Sequence, residues 1–172
     1  HDSAMLDDKV VFPLRQGAVG LGVVSPPAGA YINNEPLQLS AAGVFAVVPV
    51  ENSLINERYA KNRSYFINPL LKKQDLKNAE ACLFGDKYLL KAGDYVFVAD
   101  TEQRAYAAKG DDISYEWYIW DNVPARIWWV YENRLYFADD LGNLFMFNEG
   151  YLDDGEPVKW EWQTPWLDFG RQ

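Results

Sequence analysis

Hydrophobic residues along this chain fall in short runs that are separated by polar turns. Between residues 126 and 148, three runs of aromatic and aliphatic residues flank two turns, Glu132-Asn133 and Asp139–Gly142. Short runs bounded by Asn, Asp and Gly are typical of antiparallel strands joined by hairpins. The pattern therefore predicts three consecutive antiparallel strands in this stretch.

The same order of strand, turn, strand, glycine turn and strand appears in two earlier stretches, residues 81–100 and residues 30–49. Gly43, Gly93 and Gly142 mark the three copies at spacings of 50 and 49 residues. A period of about 40 to 50 residues with several strands per repeat is typical of a β-propeller blade. We therefore predict an all-β, propeller-like fold. The alternative is one antiparallel sandwich whose hairpins merely look alike.

The chain is predicted to form a single domain over residues 1–172. Its four-stranded blades are expected near residues 25–50, 79–120 and 125–164. Ser114–Trp120 and Val158–Thr164 alternate apolar and polar residues, so each is predicted to be the fourth strand of a blade. Because a closed ring typically needs four or more blades, we expect completion by the first strand, Lys9–Arg15, or by another subunit.

Residues 51–78 break the strand pattern. Asn56–Ile67 places Tyr59 and Phe66 near helical spacing, and Pro69 ends or restarts the segment, so a short helical insertion is predicted. Its cations are interpreted either as the solvated face of an amphipathic helix or as a patch that contacts an acidic partner. The candidate contact residues in this segment are Arg58, Lys61 and Arg63.

Composition narrows the function classes. Aromatic residues make up 16% of the chain, which suits stacked sheets more than helices. With a net charge of −9, the chain has no overall positive field to recruit a phosphate backbone, so nucleic-acid binding is not expected. No signal peptide or run of 18 apolar residues is visible, so neither secretion nor membrane insertion is predicted. The opening at His1 leads us to expect a piece of a longer protein or a remnant at this end.

Catalytic chemistry finds little support. His1 is the only histidine, which argues against a Ser-His-Asp triad and most zinc sites, and Cys82 lies in an apolar run that favours a buried thiol. A glycosidase needs two converging carboxylates, whereas the aspartates here lie mostly in turns, which favour Asp without catalysis. Asp139–Asn143 is interpreted as a β-turn because it lacks the spacing and terminal Glu of an EF-hand calcium loop. We predict no catalytic residue, cofactor or metal site.

Tryptophans supply the other candidate contacts. Trp128 and Trp129 are adjacent, so one ring must point to each face of a strand, and core packing is the first interpretation if sheets cover both faces. If exposed, such rings would bind sugars or act as hot spots for a protein partner. The candidate contact residues of this kind are Trp117, Trp120 and Trp166.

Several stretches resemble propeller segments of tailed-bacteriophage or prophage virion proteins, and the resemblance extends over most of residues 16–170. They are Gly20–Pro26, Ser40–Val47, Asn56–Ala81, Trp120–Arg126, Arg134–Phe147 and Thr164–Gly170. The resemblance implies a non-enzymatic structural component of a phage or prophage particle, found in the virion or in the bacterial cytoplasm before assembly. Its partners would be other virion proteins or its own subunits. The alternative is a carbohydrate- or host-receptor-binding module, and a glycan-cleaving enzyme is a third hypothesis.

Overall fold

The computed structural model describes residues 4–6, 9–11, 22–49, 58–106, 113–147, 150, 152–153 and 155–163. Over these residues the protein is all-β, as predicted. The strands are β1 (Ala4–Leu6), β2 (Lys9–Val11), β3 (Ala30–Ile32), β4 (Glu35–Ser40), β5 (Gly43–Pro49), β6 (Arg58–Asn62), β7 (Glu80–Phe84), β8 (Lys87–Ala92), β9 (Tyr95–Tyr106), β10 (Ile113–Trp120), β11 (Ile127–Tyr131), β12 (Arg134–Ala138), β13 (Leu144–Met146), β14 (Leu152–Asp153) and β15 (Glu156–Pro157). The helical pieces are a 3-10 turn, Pro26–Ala28, and the single-turn helix α1, Asn68–Leu71.

Consecutive strands pair antiparallel and form three larger sheets. Sheet I has the order β3-β4-β5-β6, sheet II the order β7-β8-β9-β10, and sheet III the order β11-β12-β13. Two short hairpins, β1–β2 and β14–β15, stand apart from these sheets in strand pairing. The predicted strand Ser114–Trp120 is confirmed, since it lies within β10 at the edge of sheet II.

The first hairpin of each sheet closes with a two-residue turn. Asn33 and Asn34 have φ values of 51° and 60°, and Glu132 and Asn133 have 48° and 58°. Positive φ at both central positions is the type I′ geometry, whose twist matches that of the flanking strands. Gly85, at φ 60°, opens the corresponding turn of sheet II. The two-residue turn of the first hairpin therefore recurs in all three sheets, and it is the structural counterpart of the repeat in the sequence.

The three glycines that marked the repeat in the sequence do not occupy equivalent positions. Gly43 is the first residue of β5 and pairs with Ser40, whereas Gly93 lies within the turn between β8 and β9. Gly142 belongs to the longer loop that joins β12 to β13. Their near-equal spacing therefore reflects the similar length of the repeats and not a conserved turn position.

Sheet II lies between the other two sheets and is buried on both faces. Along β8 and β9, Tyr88, Leu90 and Phe97 point toward sheet I, whereas Leu89 and Val98 point toward sheet III. Alternate residues of a strand point to opposite faces, so each strand of sheet II feeds both interfaces. Sheet II therefore packs against another sheet on each of its faces.

The interface between sheets I and II is the larger hydrophobic cluster. Its buried members are Ala28, Ile32, Leu37, Leu39, Val44, Ala46, Ile67, Leu71, Ala79, Tyr88, Leu90, Ala92, Phe97, Ala99 and Tyr115. Hydrogen bonds cross the same interface: the Tyr88 hydroxyl donates to the Ala28 carbonyl at 2.7 Å, and the Ser25 hydroxyl donates to the Ala79 carbonyl at 2.6 Å. The smaller cluster between sheets II and III has Leu89, Val96, Val98 and Leu135 as its buried members.

The predicted helical insertion is wrong for most of its described length. Residues 58–62 form β6, the outer strand of sheet I, and only Asn68–Leu71 is α-helical. Pairing with β5, in the register Val47↔Ala60, overrides a local pattern that resembled a helix. Residues 63–79, which we call the connector, then lead from sheet I to sheet II.

The predicted strand Val158–Thr164 is also wrong over its described part. Residues 158–163 have no regular secondary structure and are exposed, and Thr164 lies outside the described residues. Alternation makes a segment able to form a strand, but a strand also needs a hydrogen-bonding neighbour. Of the predicted strand Lys9–Arg15, Lys9–Val11 is confirmed as β2. Among the described strands it pairs with β1 and not with sheets I, II or III, and residues 12–15 lie outside the described residues.

Candidate functional site

Arg63, a predicted contact residue, holds sheet I to sheet II from inside. It is only 5% exposed, and its Nε and Nη2 atoms donate to Glu35 at 2.9 and 2.5 Å. The Tyr115 hydroxyl of β10 donates to the same carboxylate at 3.0 Å, and the guanidinium lies over the Tyr115 ring. The Arg63 carbonyl accepts from the Ser114 hydroxyl and from Trp117 Nε1. Arg63 and the indole N–H of Trp117 are therefore engaged within the protein.

The remaining predicted contact residues are scattered. Trp120 is half-buried and stacks on Phe147, with ring centroids 5.1 Å apart, at the interface of sheets II and III. Lys61 lies on β6 with its ammonium over the Tyr59 ring. Arg58 also lies on β6, where its backbone alone is described, and Trp166 lies outside the described residues. Of the four predicted contact residues with described side chains, Arg63 and Trp117 are joined by a hydrogen bond, whereas Trp120 lies at the interface of sheets II and III and Lys61 on β6.

Sheet III presents a different surface, which the sequence reasoning did not single out. Trp128, Leu135 and Phe137 point toward sheet II and pack in the smaller cluster or against its members. Strand alternation therefore turns the neighbouring residues outward. We define the outer face by the residues that these pairings place opposite to Trp128, which are Ile127, Trp129, Tyr131, Arg134, Tyr136, Ala138, Leu144 and Met146.

The outer face is mostly aromatic and apolar, and it carries one charged residue, Arg134, whose Nη1 lies 3.6 Å from Met146 Sδ. Trp129 stacks on Tyr136 across the β11–β12 pair, with centroids 5.7 Å apart and rings 11° from parallel. Ile127 and Tyr131 are exposed, and Leu144 is 64% exposed. Trp129, Tyr136 and Met146 are half-buried. A mostly apolar patch with several exposed members marks an interaction surface more often than scattered single residues do. In the described part of the chain, no other sheet packs on this face.

The edge of sheet III is open as well. Among the described strands, β13 pairs only with β12, whereas sheets I and II each carry a fourth strand in the corresponding place. Residues 158–163, which follow the β14–β15 hairpin, are exposed and have no regular secondary structure. In this segment Trp160 and Trp162 are 86% and 78% exposed. An unpaired edge and an unpaired aromatic segment therefore belong to the same chain.

A groove of about 390 Å³ lies between the connector, sheet II and sheet III. Arg126 contacts two of its carboxylates, Asp140 at 3.4 Å and Glu80 at 4.0 Å. Lys91 also lines the groove, and burial lowers its pKa against the opposing effect of Asp94. The groove is lined by four carboxylates, Asp75, Glu80, Asp139 and Asp140, and by two cations, Lys91 and Arg126, so its lining is net negative.

Asp139, at the rim of this groove, serves its own turn. Its Oδ1 accepts the Asn143 and Leu141 backbone N–H groups at 2.8 and 2.9 Å, and its Oδ2 accepts the Asn143 side-chain amide at 2.8 Å. The hydrogen bond from the Asn143 side chain is the main reason that the pKa of Asp139 is lowered. A general acid needs a raised pKa, so this carboxylate is suited to a turn and not to that role.

Neither a metal-binding cluster nor a membrane-spanning helix is found among the described residues. No group of three or more His, Cys, Asp and Glu side chains is arranged there to hold a metal ion. No helix in the same residues has the length and apolar character needed to cross a bilayer. The predictions that the chain is not an enzyme and binds no cofactor stay predictions.

Comparison with known proteins adds no assignment. The chain matches no family model, no curated protein and no solved structure. Among the described residues, the outer face of sheet III and the open edge of β13 are the surfaces that could contact a partner.

Proposed function

We propose that this protein is a non-enzymatic assembly module of the propeller type. In this proposal, the outer face of sheet III stacks on a sheet of a neighbouring subunit. The observation that carries the proposal is the outer face, on which Ile127, Tyr131 and Leu144 are exposed and which, apart from Arg134, is as aromatic and apolar as the faces that sheet II buries. Each stacked sheet in a repeat protein contacts its neighbours, and a terminal face without a polar cap favours association.

The physical case for stacking comes from sheet II. Its strands carry large apolar residues on both faces, and both faces are covered by another sheet. On sheet III, Trp128 is packed toward sheet II, and Trp129, the next residue, points outward. Covering one large apolar side chain contributes about 1.5–3 kcal/mol. Several such residues together can offset the loss of freedom on association.

Sequential antiparallel sheets that stack face to face favour a propeller-type module over a two-sheet sandwich, because sheet II is a middle layer. The resemblance of several stretches to propeller segments of phage virion proteins extends the proposal. On that basis, the module is a structural component of a phage or prophage particle. Its partners are its own subunits or other virion proteins.

The proposal is tested by placing a charge on the outer face. Leu144→Asp adds a carboxylate to an exposed position of this face, so the fold should persist while stacking is lost. Leu141→Asp is the matched control, because Leu141 is 87% exposed in the loop between β12 and β13 and lies off the face. Sedimentation equilibrium should show self-association that Leu144→Asp weakens by about tenfold or more, equivalent to about 1.4 kcal/mol. Equal behaviour of the two variants, or a strictly monomeric parent chain, would count against the proposal.

A second candidate function rests on the exposed indoles. Trp160 and Trp162 lie two residues apart and are 86% and 78% exposed. Exposed indole rings can serve as platforms on which sugar rings stack. A glycan array separates this function from assembly. Saturable sugar binding that is lost in Trp160→Ala and kept in Leu144→Asp would favour a carbohydrate- or receptor-binding module.

A further inference from the structure

We propose that the open edge of β13 accepts residues 158–163 of a second copy of this chain as a fourth strand. The inference rests on the proposed function, because it names the partner and one contact through which the module assembles. Two observations carry it. Sheet III lacks the fourth strand that sheets I and II have, and residues 158–163 have the alternating pattern of a strand but no strand partner among the described residues.

The strand position is defined by comparison within the protein. Sheets I and II end in the outer strands β6 and β10, which pair with the third strand of their sheet over Phe45↔Asn62 and Val96↔Trp120, among other pairs. Sheet III stops at its third strand, β13, in the described part of the chain. An edge strand presents unpaired N–H and C=O groups that another extended chain can pair with.

The donor segment has the pattern that this edge requires. Val158, Trp160 and Trp162 alternate with Lys159, Glu161 and Gln163, so one side of the strand is apolar and the other polar. Added beside β13, the apolar side continues the aromatic row of the outer face. An edge of three residues offers few backbone hydrogen bonds, so most of the contact area has to come from side chains. Each Trp side chain buries about 150–250 Å² when it is covered, so Trp160 and Trp162 would supply most of this area.

The second copy is favoured over the chain's own segment by the observed geometry. In the single chain, every residue from 155 to 163 is exposed, and the β14–β15 hairpin precedes the segment. The segment therefore does not lie on its own sheet. Exchange between two copies is reciprocal, so each copy fills the edge of the other in a closed two-fold pair.

Two single-cysteine chains test the exchange, both with Cys82→Ala so that no other thiol is present. One carries Met146→Cys on β13, and the other carries Val158→Cys at the start of the donor segment. A mixture treated with a short bismaleimide should give a crosslinked heterodimer. Tyr65→Cys in place of Val158→Cys is the control, since Tyr65 is an exposed residue of the connector. A crosslink that forms equally with the control would overturn the proposal.

Hydrogen exchange gives a second readout that needs no substitution. The amides of residues 158–163 should become about tenfold more protected as protein concentration rises, while those of β8 and β9 stay unchanged. Protection at all concentrations, together with an intramolecular crosslink in a Met146→Cys/Val158→Cys chain, would show that the chain fills its own edge and would contradict the exchange. Self-association that is weakened by Leu144→Asp, without any crosslink between 146 and 158, would leave the proposed function standing and remove this inference alone.

Discussion

At the residue scale, Arg63 shows how one side chain can join two sheets. Its guanidinium and the Tyr115 hydroxyl converge on Glu35, and its carbonyl accepts hydrogen bonds from Ser114 and Trp117. Glu35 belongs to sheet I, whereas Tyr115, Ser114 and Trp117 belong to sheet II. A buried ion pair adds little net stability over an apolar replacement, but removal of one partner leaves an uncompensated charge.

We therefore expect Arg63→Met to lower the free energy of unfolding by about 3–5 kcal/mol, because Glu35 then stays buried without its partner. The double variant Arg63→Met/Glu35→Leu should recover part of that loss. Urea unfolding followed by circular dichroism measures both values. Lys72→Met is the control, since Lys72 is exposed on the connector and should change stability by less than about 0.5 kcal/mol. A single variant as stable as the parent chain would show that the ion pair does not join the sheets.

Asp100 gives a prediction on pH. Burial by itself would raise its pKa, but the Gln103 and Glu102 backbone N–H groups and the Lys87 ammonium lower it below the ordinary value of 3.8. A carboxyl group with a lowered folded-state pKa stabilises the protein above its unfolded-state pKa, and this stability is lost as pH falls through the folded-state pKa. We expect the Tm of the parent chain to fall as pH is lowered below about 4. In Asp100→Asn, the Tm should fall less over that pH range, whereas an unchanged slope would assign the acid sensitivity to other groups.

At the element scale, the connector fixes the second turns of two sheets. The Ser64 hydroxyl accepts the Val44 N–H at 2.7 Å and donates to Asn68 at 2.7 Å, directly over Gly43. Gln74 lies in the same way over Gly93. Neither glycine has room for a side chain, so the connector and these turns have to be built together.

Gly43→Ala should therefore destabilise the protein strongly. Its φ of +133° disfavours any residue with a Cβ, and the added methyl would lie 2.6 Å from Ser64 Oγ and collide with the Asn68 side chain. We expect a loss of about 3–5 kcal/mol from backbone strain and overpacking together. Gly142→Ala is the matched control, because Gly142 also has a positive φ, +84°, but open space around it. That control should lose about 1–2 kcal/mol, and a similar loss in both variants would show that steric contact with the connector is unimportant.

At the scale of the whole molecule, the two interfaces of sheet II are unequal. The interface with sheet I buries the larger cluster and contains the Arg63–Glu35 ion pair, whereas only four buried residues form the cluster with sheet III. Regions with fewer buried apolar contacts open at lower free energy. The molecule should therefore have a stable two-sheet part and a less stable third sheet.

Native-state hydrogen exchange should show this difference. We expect the amides of β11 and β12 to exchange through openings of lower free energy than those of β8 and β9. Leu135→Ala, which removes a buried residue of the smaller cluster, should increase exchange in sheet III while leaving β4 and β5 protected. Leu37→Ala is the comparison variant in the larger cluster and should cost about 2–5 kcal/mol of global stability. Uniform loss of protection in Leu135→Ala would indicate that the three sheets unfold as one unit.

The sequence alone determined the features that depend on neighbouring residues. Asn33-Asn34 and Glu132-Asn133 form tight turns because Asn tolerates positive φ, and the alternation of Ser114–Trp120 predicted an edge strand correctly. The all-β class follows from such local signals. The assignment of the Asp139 loop as a turn is also consistent with its hydrogen bonds.

The tertiary structure decided the features that depend on a partner distant in sequence. Arg58–Asn62 became a strand because β5 offers its edge, whereas residues 158–163 are unpaired although they alternate more strictly. Arg63 looked like a surface cation, but Glu35, 28 positions away, holds it inside. Trp128 and Trp129 had to point to opposite faces, yet only the stacking of sheets showed which ring packs toward sheet II and which lies on the outer face. Hydrogen-bond pairing and burial are properties of two surfaces in contact, so a local pattern can show that a segment is able to pair but not which segment it pairs with.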